Sequence, residues 1–92
     1  MAGISVMKVR VKVIGGPQGK FRMEDLFVSF QNEPTLKDVL AEIEKERGIK
    51  VDPRDPGIVI LVNGRRIEFI GGLNISLKHM DEVTIMPIIS GG

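Results

Sequence analysis

The chain closes on Ser90-Gly91-Gly92, and these are the residues best placed to do chemistry. Glycine has no Cβ, so two in succession take extended or positive-φ conformations and pass through a channel only one backbone wide. Residues beyond a last strand are expected to form a flexible tail. The carboxylate of Gly92 can therefore reach into another protein's active site while the fold stays outside, with Gly91 beside it and Ser90 as a spacer.

The other reactive side chains read differently. With no cysteine in the chain, disulfides, thiolate nucleophiles and cysteine metal sites are all excluded. His79 is the only histidine, too little for a typical zinc site, and reads as a surface loop residue able to pair with Asp81 or Glu82. Glu42, Glu44 and Glu46 stand at every second position of a helical segment, so they are expected to fan out over a solvated face. The run Gly15-Gly16-Pro17-Gln18-Gly19-Lys20 resembles a phosphate loop superficially. It has one spacer too few and is followed by Phe21 where Ser or Thr would hold Mg²⁺, so a hairpin loop suffices. Lys8, Arg10 and Lys12 form a basic row, with Arg65 and Arg66 nearby, but no stacking aromatics interleave with them. A charged edge or exposed face accounts for the row, and an acidic groove on a partner is the alternative.

These residues must be positioned by a small fold. The 92 residues are 42% hydrophobic and 27% charged, enough for one aliphatic core and one domain over 1–92. A net charge of +1 is too near neutral to argue for a nucleic-acid or membrane partner. The apolar start is broken by Lys8 and lacks the uninterrupted stretch of a signal peptide, so the expected location is cytoplasmic. From Ile4 to Ile14, apolar Met7, Val9, Val11 and Val13 alternate with charged residues, which predicts a strand. Leu26, Val28 and Phe30 predict a second, joined to the first as a hairpin.

Thr35 as N-cap with Asp38 three residues on, then Leu36, Val39, Leu40 and Ile43, predicts a helix from Leu36 to Arg47 ended by Gly48. The Pro53 and Pro56 segment is a loop. Ile58 to Val62 reads as a central strand covered on both faces or nearly so. Asn63-Gly64 predicts a tight turn into a short strand from Arg65 to Phe69, which Gly71-Gly72 breaks. The last strand runs from Val83 to Ile89, with Pro87 on an edge or where pairing stops. The order is strand, strand, helix, strand, short strand, strand, an α+β architecture in which one main helix covers a mixed sheet of four to five strands.

Three stretches, Asp55 to Gly64, Leu73 to Leu77, and Asp81-Glu82-Val83 through Ile89-Ser90-Gly91-Gly92, make the chain resemble the β-grasp, ubiquitin-like carriers and modifiers. That group includes the molybdopterin synthase small subunit, the thiamine sulfur carrier, the ubiquitin-related modifier and the small archaeal modifiers. The resemblance implies a protein cosubstrate that is not itself an enzyme and binds no cofactor. Its C-terminal carboxylate would attack the α-phosphate of ATP on a ubiquitin-activating-like adenylating enzyme, and the acyl adenylate would yield a thiocarboxylate or an isopeptide bond. It implies as further partners a sulfur acceptor, such as a molybdopterin synthase large subunit, or target-protein lysines.

On the last strand, Val83, Ile85, Pro87 and Ile89 share one parity. If they pack under the helix, Met86 and Ile88 lie exposed beside the tail as a partner-binding patch that Phe69 extends; otherwise they fill the core or pair with a neighbouring strand. A different reading of the whole chain is a ubiquitin-like interaction domain that never uses its C-terminus. A small nucleic-acid-binding barrel is disfavoured by the charge and the scarcity of aromatics.

Overall fold

The computed structural model describes residues 6–15 and 22–88. Five strands form one mixed sheet in the order β2-β1-β5-β3-β4. β1 (Met7–Gly15) and β2 (Arg22–Phe30) pair antiparallel without a bulge from Met7 opposite Phe30 to Gly15 opposite Arg22. β5 (Glu82–Pro87) lies parallel to β1 and antiparallel to β3 (Ile58–Val62). The first strand therefore begins at Met7, after Val6; Ile4 and Ser5 lie outside the described residues.

The alternation places Val9, Val11, Leu26, Val28, Ile60, Val62, Val83 and Ile85 on one face, all buried against α1 (Leu36–Arg47). From α1 come Leu36, Val39, Leu40 and Ile43, the apolar stripe of the 3.6-residue period. Thr35 and Asp38 form the expected reciprocal cap: the Asp38 N–H donates to Thr35 Oγ1 at 3.2 Å, and the Thr35 N–H to Asp38 Oδ2 at 2.9 Å. Gly48 ends the helix in the left-handed conformation with φ 69°. The start of α1 is tied to the segment before β5, where the Leu36 N–H donates to the Ile75 carbonyl and the Leu77 N–H to the Pro34 carbonyl. Leu77 fills the space beneath.

Three expectations are corrected. β3 lies inside the sheet, between β5 and the two-residue β4 (Arg65–Arg66), but it is not covered on both faces: only Ile60 and Val62 of its run are buried. Val59 and Leu61 face the side that no helix covers. The short strand does not continue to Phe69, because the chain turns into a 3-10 helix at Ile67–Phe69 that drives Ile67 into the core. The last strand runs from Glu82 to Pro87, with Ile88 beyond its end and Ile89 outside the described residues. Pairing of β5 with β1 reaches Ile85 opposite Val13, while β3 still pairs with Pro87. The missing N–H of Pro87 thus falls where the β1 ladder has stopped.

Candidate functional site

Ile88 is the last described residue before the Gly-Gly end, and the structure fixes its position. Its N–H donates to the Gly57 carbonyl at 2.8 Å, tying it to the loop before β3. That loop is built by two aspartates folding onto their own backbone, as Asx turns do: Asp52 Oδ1 accepts from the Arg54 N–H at 2.9 Å, and Asp55 Oδ1 from the Gly57 N–H at 2.8 Å. The other end of β5 is equally fixed. Asn63, at the turn with φ 51° before Gly64 with φ 83°, donates from Nδ2 to Asp81 Oδ1 and accepts the Glu82 N–H on Oδ1. These paired positive φ values are those a type I′ turn uses. Asp81 Oδ2 accepts from the Lys78 N–H at 2.8 Å.

Two grooves flank the exit. One, of about 230 Å³, lies between the Pro53 to Pro56 loop and the Arg66 to Glu68 turn, with Ile58, Ile60 and Ile88 in its wall. The other, of about 270 Å³, lies between the end of β1 and the Ile49 to Asp52 segment, with Ile85, Met86 and Pro87 in its wall. Asp55 and Ile58 border both. In the sequence the loop reads only as a helix break; the repeated Asp-Pro spacing in Asp52-Pro53-Arg54-Asp55-Pro56 is the available signal for a shaped rim.

Of the residues singled out by sequence, Gly92, Gly91 and Ser90 lie outside the described residues. Phe69 is 80% exposed, and the Arg66 guanidinium carbon sits 6.0 Å from its ring centroid while Arg66 Nη2 donates to Glu68 Oε2 at 2.9 Å. Ile88 is 44% exposed. Met86 is half-buried, not exposed, because it lies opposite Val59 on β3 and in the wall of the second groove. The structure does not bring the three together in one lining: Ile88 and Met86 border different grooves, and Phe69 borders neither.

The open face of the sheet carries the basic row. β1 is an interior strand, so the row does not protect an edge. The Arg10 guanidinium donates to both Asp25 oxygens, from Nε at 2.9 Å and Nη2 at 2.5 Å, and Lys12 Nζ stands 3.4 Å from Glu82 Oε2. The hydrogen bonds from Arg10 hold the Asp25 carboxyl below its ordinary value and raise Arg10. Glu68 is also lowered, first by a backbone hydrogen bond and then by Arg66.

His79 pairs with neither acid; its Nδ1 accepts the Lys8 N–H at 3.1 Å, a structural use at the start of β1. Glu44 and Glu46 are exposed and Glu42 half-buried, on the side of α1 turned from the core. One turn separates Glu42 from Glu46 on α1, and the neighbouring Glu42 carboxyl raises that of Glu46. Among the described residues no cluster of His, Asp and Glu is arranged to hold a metal ion, and no helix is long and apolar enough to cross a membrane.

Comparison with known proteins places this geometry. Residues 12–92 match the ThiS family model. A ubiquitin-related modifier 1 homolog of Dictyostelium discoideum is 28% identical, over 94% of this chain and 100% of that protein. The sulfur carrier protein CysO of Mycobacterium tuberculosis strain H37Rv is 36% identical, over 63% of this chain and 72% of the carrier. Among solved structures, the small archaeal modifier protein 1 from Methanosarcina acetivorans superposes with a TM-score of 0.64 at 25% identity, covering 96% of this chain and 99% of that one. The Haloferax volcanii HVO 2177 protein shares the fold with a TM-score of 0.66 at 23% identity, over 95% of this chain and 88% of that one.

Proposed function

The chain belongs to the ThiS family of β-grasp, ubiquitin-like sulfur carriers and modifiers, and from that premise we propose that Gly92 is its working residue. The Gly92 carboxylate attacks the α-phosphorus of ATP bound by a ubiquitin-activating-like enzyme, expelling pyrophosphate and forming an acyl adenylate. A sulfur donor then attacks the acyl carbon and AMP leaves, giving a thiocarboxylate for a sulfur-acceptor enzyme. A lysine amine taking the same place gives an isopeptide bond. Beyond the Gly92 carboxylate, the catalytic groups and the nucleotide site belong to the partner enzyme, and the protein acts in the cytoplasm as a cosubstrate.

The observation that carries this reading is the anchoring of β5. The strand is paired on both sides over Val83 to Ile85 and tied at Ile88 to Gly57. The chain beyond Ile88 therefore starts from a fixed point on a rigid body, next to a groove edged by Arg54, Arg66 and Glu68. A partner enzyme can dock the rim and receive the glycines in a set direction, which lowers the entropy cost of placing the carboxylate. Exposed Ile88 and Phe69 supply apolar surface for that docking.

Intact mass spectrometry of the protein isolated from its own cell tests the proposal. The expected result is a species heavier by the exchange of one oxygen for sulfur, or a branched peptide joining Gly92 to a lysine. Deleting Gly91-Gly92 should abolish both and leave the circular dichroism spectrum unchanged. A free carboxylate throughout, with no adenylate formed by any activating enzyme of that cell, overturns it.

A further inference from the structure

The two edges of the sheet are unequal. At one edge β4 is only two residues long and turns into a 3-10 helix, the kind of blunting that discourages further pairing. At the other, β2 runs nine residues with no proline and an unbroken register. The hydrogen bonds of β1 show which groups of β2 are free. The Arg10 N–H donates to the Asp81 carbonyl at 2.9 Å, and the Lys8 carbonyl accepts the Met80 N–H, so both residues turn their backbone groups away from β2. In an antiparallel ladder, residues directly opposite either exchange both bonds or both face outward. Phe27 opposite Arg10 and Ser29 opposite Lys8 therefore turn N–H and C=O to the outer edge, and by alternation so does Asp25. Among the described residues nothing pairs with them. Phe27 is also 51% exposed on the open face.

We propose that this edge pairs two copies of the chain, antiparallel, about a twofold axis at Phe27. The register is set by the side chains. With the axis there, Phe27 meets its counterpart, giving a cross-strand aromatic pair, Asp25 meets Ser29, and Leu26 meets Val28. An axis at Asp25 would set two carboxylates directly opposite, which is destabilising. From Leu26 to Phe30 the strand has no charge to repel a copy of itself. The outward groups of Asp25, Phe27 and Ser29 then pair reciprocally, as a twofold interface requires. Because β1 separates β2 from β5 in the sheet, both copies keep their exit rims free, and the pair presents two C-termini at once. The inference is independent of what happens at Gly92.

Sedimentation equilibrium of the full chain over a concentration series, with hydrogen exchange monitored by NMR, tests it. The mass should rise from 10.1 kDa toward twice that value as protection of the Asp25, Phe27 and Ser29 amides increases. Phe27→Lys and Phe27→Glu should each stay at 10.1 kDa with unchanged circular dichroism, and their equimolar mixture should recover the doubled mass. A wild-type chain that stays single up to its solubility limit overturns the proposal and leaves the edge to an extended segment of another protein. A pair that survives Phe27→Lys with the edge amides unprotected overturns it equally.

Discussion

The two faces of the sheet are made by the same strands in alternation, yet they do different work. Beneath α1 the strands contribute only aliphatic side chains at the buried positions, and Leu36, Val39 and Ile43 of the helix lock over them with no exposure. On the open face Arg10, Lys12, Asp25 and Glu82 pair in water-facing positions beside half-buried Leu61 and Met86. One face carries the burial that holds the fold; the other is free to vary in charge without disturbing it. The rim where β5 ends joins the two, which lets a rigid core present a specific surface beside the chain's exit.

Substitutions can break this contrast, and the largest effect belongs to the covered face. Ile43→Ala removes a side chain with no exposed surface and should cost about 2–5 kcal/mol, read from the urea midpoint. A loss as small as that of an open-face substitution would mean that the helix side is not the core that the burial implies. Next is Gly71→Ala. Gly71 has φ 126°, and an added Cβ would stand 2.6 Å from Ile75 Cγ2. Strain and overlap together should cost about 1–3 kcal/mol, while Gly48→Ala, whose added Cβ meets nothing within 4 Å, should cost only about 1 kcal/mol of backbone strain. Thermal melts of the pair measure the extra cost of the overlap and of the less favourable φ at Gly71. Thr35→Ala, which removes one half of the helix cap at the border of the covered face, should cost about 1 kcal/mol.

Legibility in the sequence divides along the same line. α1 has the bounds that periodicity gives it, because a buried stripe repeats in the sequence, and β3 has those of its apolar run, which turn residues close at both ends. The strand order does not repeat anywhere: Ile58 to Val62 looks like a strand covered on both sides, and only the pairing shows it next to a two-residue edge. Alternation assigns Ile67 to a strand, whereas burial of its side chain beneath the sheet bends the chain into a 3-10 turn. Met80 takes φ 71°, a conformation unexpected for methionine, where its N–H closes onto Lys8. At the candidate site, strand parity gives the exposure of Ile88 once Val83 and Ile85 are known to pack under the helix, whereas Phe69, expected at the end of a short strand, is exposed on a 3-10 turn. The burial of Met86 depends on a neighbour distant in sequence, Val59, and is not legible.

The smallest effect sharpens the comparison through pH, because two carboxylates titrate in opposite senses. Asp25 is held below its ordinary value by Arg10; its contribution is present above the unfolded carboxylate value and is lost as pH falls through the lower folded value. Glu46 is raised by the neighbouring Glu42 carboxyl; its contribution is present below the unfolded value and is lost as pH rises through the higher folded one. Asp25→Asn should therefore weaken the protein at neutral pH and match the wild type in strong acid, with the difference shrinking in high salt because the pair faces water. Glu46→Gln should do the reverse, gaining relative to the wild type as pH rises past the carboxylate range. Melting temperatures across that range, at low and high salt, measure both differences. If the two profiles bend in the same direction, the open face and the helix surface are not separate electrostatic regions, and the charges of one are compensating those of the other through the fold.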